Sequence, residues 1–209
     1  MLEPDVTLTD IGLALECAIF AALLLRARGS PARRWFAAFF GVVGVAAALG
    51  AVEHGFVADK ASSAATIVWT GTLLAVGLAA VAGWGAGARL ALGRRPARAL
   101  TAGAAIAFTA YAAVVVLVDR RFAVAIAFYL PAAIFLLVAF LLAARRGDRR
   151  VNAGAWGLGL TFVAAAVQQG RVGLHPRYFN HNALYHLIQG AGLFLVFRAA
   201  RLATRRREA

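Results

Sequence analysis

FAVAIAFYLPAAIFLLVAFLLAA, residues 122–144, is a run of 23 residues without a charge, preceded by Arg120 and Arg121 and followed by Arg145 and Arg146. At the helical rise of about 1.5 Å per residue it reaches about 35 Å, enough to cross a hydrocarbon core of about 30 Å. Backbone amides in such a core have no water to bond, so the segment must satisfy them itself and is predicted to be a helix. Apolar runs of similar length recur at residues 7–25, 35–57, 66–92, 100–118, 151–172 and 181–200. The chain has 209 residues, 62% of them hydrophobic, and a mean hydropathy of +0.76. The fold class these runs predict is all-α: an integral membrane bundle of seven transmembrane helices, with residues 1–209 forming one domain. No long polar block or Pro/Ser-rich linker leaves room for a soluble domain.

The formal charge of +13 raises the question of nucleic acid, and the placement of the arginines answers it. Arg26, Arg28, Arg33 and Arg34 separate the first and second runs, and Arg89, Arg94, Arg95 and Arg98 the third and fourth. Arg145, Arg146, Arg149 and Arg150 separate the fifth and sixth, while Arg198, Arg201, Arg205, Arg206 and Arg207 close the seventh. Positive charge beside alternate ends of apolar runs is the signature of membrane orientation, so no nucleic-acid partner is expected and the partner is membrane lipid. The opposite ends carry Glu3, Asp5, Asp10, Asp59 and Asp119 with few cations. The N-terminus is therefore expected outside and the C-terminus in the cytoplasm. The first run follows acidic residues and shows no small-residue cleavage site, so it is expected to persist as a helix. A lone cysteine, Cys17, excludes an intramolecular disulfide and a cysteine-based metal site. Basic residues that are nearly all arginine, with abundant alanine and glycine, suggest a bacterial, GC-rich source and a multi-pass protein of the inner membrane.

Polar side chains inside an apolar setting mark the candidate site. Asn182, Tyr185, His186 and Gln189 fall at i, i+3, i+4 and i+7 of the last run and so share one helical stripe, which must face other helices. His181 lies about 140° away from His186, and with Asn180 it suits a helix cap. Glu53 and His54 close the second run and Gln168 the sixth, at the same predicted end of the bundle. Behind His54, Gly50, Ala47 and Ala46 allow close helix approach. Glu16 is the one acidic residue well inside an apolar run, where a carboxyl needs a partner.

His54 within the segment from Ala51 to Phe56, and the Asn-His-Asn-Ala-Leu-Tyr-His segment from Asn180 to His186, resemble an uncharacterised bacterial seven-helix membrane family. More distantly they are similar to the CREST superfamily, which includes the alkaline ceramidases and the progestin and adipoQ receptors. The resemblance implies zinc held by three histidines and a metal-bound water attacking a lipid amide or ester. Carried over, His54 matches the first ligand and His186 the last. Asn182 stands where that family has its other helix-7 histidine, and Gly50 where it has serine. A rebuilt zinc site would take His54, His186 and one of His181, Glu53 or Glu16, with Glu53 as general base. Gln168 and Asn182 would then lie behind the ligands. Two other classes stay open: a non-catalytic bundle that binds or senses a small molecule or lipid around a structural polar core, and a b-type haem protein with His54 and His186 as axial ligands.

Overall fold

The computed structural model describes residues 1–27, 29–147, 149–175 and 178–205. They form seven α-helices, α1 (Pro4–Arg26), α2 (Pro31–Phe56), α3 (Ser63–Ala91), α4 (Arg94–Leu117), α5 (Phe122–Arg146), α6 (Ala153–Gln169) and α7 (His181–Ala203), with one 3₁₀ turn at Arg149–Asn152 before α6. Each, taking that turn together with α6, is long and apolar enough to cross a membrane, which makes this a multi-pass membrane architecture. Several helices run beyond the apolar stretches into the arginines, because backbone hydrogen bonding continues where the side chains already reach toward headgroups. α6 ends early, at Gln169. Arg171 adopts a positive φ of 52°, which turns the chain away from the helix.

Six helices close a ring in the order α1, α2, α3, α5, α6, α7 and back to α1, while α4 packs mainly against the outside of α3. Burial follows this arrangement, since α4 hides few residues and exposes Ile106 and Leu117 where lipid would cover them. Tyr111 fastens it: the hydroxyl donates to the Leu73 carbonyl of α3 at 2.7 Å, and the ring lies across Gly77 and stacks on Phe128 of α5. In the ring's interior Phe20, Phe40 and Phe197 from α1, α2 and α7 form an aromatic cluster, Phe20 stacking on Phe197 at 4.2 Å and meeting Phe40 edge-on at 5.4 Å. Lipid tails are as apolar as these side chains. Packing and close backbone approach, rather than escape from water, must therefore hold the helices together.

The two ends of the bundle differ in chemistry. At the arginine end, Arg33 is nearly buried and its Nε donates to Thr204 Oγ1 at 3.1 Å, tying the start of α2 to the end of α7. Arg146 donates to the Ala91 carbonyl, tying α5 to α3. At the other end, the amides of Leu2 and Glu3 donate to the carbonyls of Gly55 and His54, so the residues before α1 strap the end of α2. Trp69 donates to the Arg120 carbonyl at 2.7 Å. In the turn between α4 and α5, the guanidinium of Arg121 holds the Asp119 carboxyl below its usual range by direct hydrogen bonding.

The tightest helix crossing is between α6 and α7. A Cβ on Gly157 would strike the Gly192 carbonyl, and one on Gly192 would sit 2.7 Å from the Gly157 carbonyl. Backbone cannot yield as a flexible side chain does, so Gly192→Ala is expected to cost about 1–3 kcal/mol through overpacking. At Gly103 a Cβ meets nothing within 4 Å, and Gly103→Ala is expected to gain about 0.5–1 kcal/mol from the helix propensity of alanine. Equilibrium unfolding of both variants in mixed detergent micelles checks the opposite signs. Equal effects would refute the crossing as the critical contact.

Candidate functional site

The site is organised by α1. Val6, Asp10, Leu13, Cys17, Phe20 and Leu24 recur at helical spacing and are all buried, so Asp10 occupies a position where the pattern otherwise holds hydrocarbon. Beside this stripe runs a second, Asp5, Thr9, Gly12 and Glu16, at i, i+4, i+7 and i+11, which turns toward α7. Both stripes meet the polar start of α7.

His186 is the meeting point. Its side chain is 10% exposed; Nε2 lies 3.3 Å from Asp10 Oδ1 and Nδ1 lies 3.1 Å from Thr9 Oγ1. The Thr9 hydroxyl also lies 2.9 Å from the Asp5 and Val6 carbonyls. A hydroxyl has one proton. If it goes to a helix carbonyl, His186 Nδ1–H donates to Thr9; if it goes to Nδ1, the imidazole proton sits on Nε2, on the side of Asp10. In either arrangement the ring and the carboxyl stand 3.3 Å apart, so the two groups bring α1 and α7 together as a unit. Asp10 Oδ2 has no hydrogen-bond partner among the described residues. It faces Gly50 of α2, where a Cβ would stand 3.0 Å from it. The glycine that precedes His54 by four residues thus makes room for a carboxylate.

Around this unit the α7 start is held by backbone and amide contacts. Asn180 caps α7, its side chain accepting from the amides of Asn182 and Ala183, while its own amide donates to Asp5 Oδ2 at 3.0 Å. The capping role read from the sequence is therefore Asn180's, and His181 is the first helical residue behind it. Gln168 donates to Asn182 Oδ1 at 3.2 Å, joining α6 to α7. The Tyr185 ring lies 5.0 Å from that of His186. Gln189, one turn beyond Tyr185, keeps its Oε1 buried without a partner among the described residues.

His54 and Glu53 stand apart from that unit. His54 Nδ1 pairs with Glu3 Oε2 at 3.2 Å and is about a quarter exposed. Glu53 is the more buried of the two and pairs with Lys60 at 3.0 Å. They line a cleft of about 370 Å³ at the end of the bundle together with Glu3, Lys60 and Trp69. His186 instead lines a groove of about 340 Å³ between α1 and α7, with Thr9, Gly12, Leu13, Glu16 and Gly190. The outer walls of this groove are Leu8 and Leu187, 60% and 55% exposed, so it opens sideways toward lipid. Gly12 has open space where a Cβ would be, and a Cβ on Gly190 would touch Glu16 Oε2 at 2.9 Å. Glycines on both helices therefore create the groove and admit the carboxyl.

A three-histidine zinc site needs three donors converging with free lone pairs. Among the described residues no group of three or more His, Cys, Asp or Glu is placed to hold a metal. Both ring nitrogens of His186 face Thr9 and Asp10, and His54 lines a different cleft, so the donor set as arranged does not fit that site. Asp10, read from the sequence only as an orientation charge, is the residue whose place in the site the sequence reading missed. Asp10 lies three residues inside the first apolar run, near enough to its start to pass for a flanking charge.

The chain belongs to a family of unknown function (DUF6962), whose model matches residues 6–205. No curated protein and no solved structure matches it.

The Asp10–His186 unit is expected to show in a double-mutant cycle. Asp10→Ala, His186→Ala and the double variant, unfolded in detergent, should give a coupling of about 0.5–2 kcal/mol. Gly50→Ala, which presses on Asp10 from α2, should be destabilising by itself. Additive single effects would show that the pair carries no interaction.

Proposed function

We propose that this chain is a non-catalytic, seven-helix binding or sensor protein of a bacterial inner membrane, with the α1–α7 groove holding a neutral lipid or small amphipathic molecule. One observation carries the reading: a groove open to lipid in which Thr9, Glu16 and His186 are set among leucines and glycines. Ligand pockets combine a mostly apolar wall with a few fixed polar groups, and this groove has that make-up. Thr9 and Glu16 are seven residues apart, about 10 Å along the helix. A molecule lying in the groove would meet hydrogen-bonding groups at both ends and hydrocarbon between. Charge inside the bilayer is expensive, which favours a ligand whose polar part is a hydroxyl or an amide. In this reading the N-terminus and the histidine end lie outside and the C-terminus in the cytoplasm, on the strength of the arginines gathered at the other end.

Zinc-dependent hydrolysis of a lipid amide or ester, as the likeness to the CREST superfamily implies, is the competing proposal, with His54, His186 and His181 as ligands and Glu53 as base. The arrangement of His186 between Asp10 and Thr9 supports the binding reading instead, because it fixes the imidazole as a hydrogen-bonding element. A b-type haem would need the same two imidazoles bare and opposed.

The readings separate in one preparation. Protein in nanodiscs is exposed to a diazirine-bearing long-chain N-acyl amine, irradiated and mapped by peptide mass spectrometry, with metal content and the absorption spectrum measured on the same sample. The expected result is labelling confined to α1 and α7, reduced about tenfold in Gly12→Phe, which fills the groove. Labelling spread evenly over lipid-facing helices would refute the groove. About one zinc per chain that is lost in His186→Ala would favour the hydrolase, and a Soret band would favour haem.

A further inference from the structure

The groove between α1 and α7 holds a carboxyl whose hydrogen bonding the fold leaves open. Glu16 stands near the middle of α1, which runs from Pro4 to Arg26, about 18 Å from one end and about 15 Å from the other. It lines the groove and has no hydrogen-bond or ion-pair partner among the described residues. Asp10 Oδ2 and Gln189 Oε1 are also without partners there, but those atoms are sealed inside the protein; the two oxygens of Glu16 both keep accessible surface. Gly190 makes room for them, since a Cβ at that position would stand 2.9 Å from Glu16 Oε2. The groove wall brings no cation. Its one other titratable group is His186, whose ring nitrogens face Thr9 and Asp10. Unpaired charge is expensive at that depth, so the carboxyl stands in the groove as the neutral acid. In that form it presents an O–H donor and a carbonyl acceptor side by side.

Given that the α1–α7 groove holds a lipid or small amphipathic molecule, a reading on which this one rests, we propose that Glu16 selects a neutral ligand head with an acceptor and a donor side by side, the pattern of a primary carboxamide or of a ring amide. Such a head closes a ring of two hydrogen bonds with the acid and satisfies both of its oxygens where no water is at hand. An open-chain secondary amide carries its N–H and C=O on opposite sides of a trans peptide plane, and an ester has no N–H, so each makes only one of the two bonds. The opening past Leu8 and Leu187 lets a hydrocarbon tail stay among the lipids while the head turns inward to Glu16.

Competition against the photoreactive N-acyl amine in nanodiscs tests this, with palmitamide, N-methylpalmitamide, methyl palmitate and hexadecylamine each titrated as competitor. Palmitamide is expected to halve the labelling of α1 and α7 at about one tenth of the mole fraction that the N-methyl amide or the ester requires, the worth of one further hydrogen bond. Glu16→Leu should erase that preference. Glu16→Gln, whose amide again sets an acceptor beside a donor, should restore it, a rescue that a misfolded variant cannot show. Equal competition by palmitamide and methyl palmitate, or a preference that survives Glu16→Leu, with labelling still confined to α1 and α7, would overturn the role of Glu16 and leave the groove standing. Hexadecylamine as the strongest competitor, with its effect lost in Glu16→Gln, would overturn it in favour of an ionised carboxyl that takes a cation. Labelling spread over all lipid-facing helices would overturn the groove and this role together.

Discussion

Asp10 is the constraint on which the rest of the arrangement depends. A carboxyl that is 3% exposed inside a membrane-crossing helix can be kept only if its neighbours supply polar contact on one side and space on the other. His186 supplies the contact from α7, and Gly50 supplies the space from α2. Three helices are thereby fixed in depth relative to one another. A slip of α7 by one turn, about 5.4 Å, would remove the imidazole from the carboxyl and leave both buried and unpaired. In a bundle whose interior is mostly hydrocarbon against hydrocarbon, such a pair helps set the register that apolar packing alone leaves loose.

The same requirement explains the distribution of glycines. Gly44 and Gly55 of α2 meet Cys17 and Thr7 of α1, just as Gly50 meets Asp10, so α2 presents a small-residue face along its contact with α1. Between α6 and α7, Gly157 and Gly192 bring backbone against backbone. Close crossings on either side hold α1 and α7 in place while Gly12 and Gly190, set between them, leave the groove open. Glycine thus serves two opposite ends here. It tightens the crossings that carry stability and thins the wall where a cavity is wanted.

The seven helices were legible because hydropathy and arginine spacing report directly on a bilayer. An uncharged run of about 20 residues matches the thickness of a hydrocarbon core and exceeds what a buried helix of a small soluble domain requires. The stripe on α7 was legible for the same reason: Asn182, His186 and Gln189 are foreign to lipid. Their partners were harder to find. Asp10 lies close enough to the start of α1 to read as one of several acidic residues that set orientation. Nothing in a single sequence states that α1 rather than α2 supplies the group facing His186, because that depends on how the ring closes. His54 and Glu53 read as one motif with His186 since all lie toward the same end. The difference between a cleft at the bundle's end and a groove on its flank is a matter of azimuth around the ring, which spacing along the chain does not encode.

This azimuth has a structural consequence. The strap at Leu2 and Glu3 and the helix that follows it touch both cavities: Glu3 lines the cleft with His54 and Glu53, whereas Thr9 and Glu16 line the groove with His186. One continuous helix therefore connects them, and Asp10 anchors it between the two. Movement of α1 along its axis would strain the Asp10–His186 pair and the Glu3–His54 pair together. Two cavities joined by a rigid element with paired polar contacts at each end have the physical means to influence each other. On the proposed reading, occupancy of the groove would bear on the cleft through α1, and that helix is the place where the coupling would be carried.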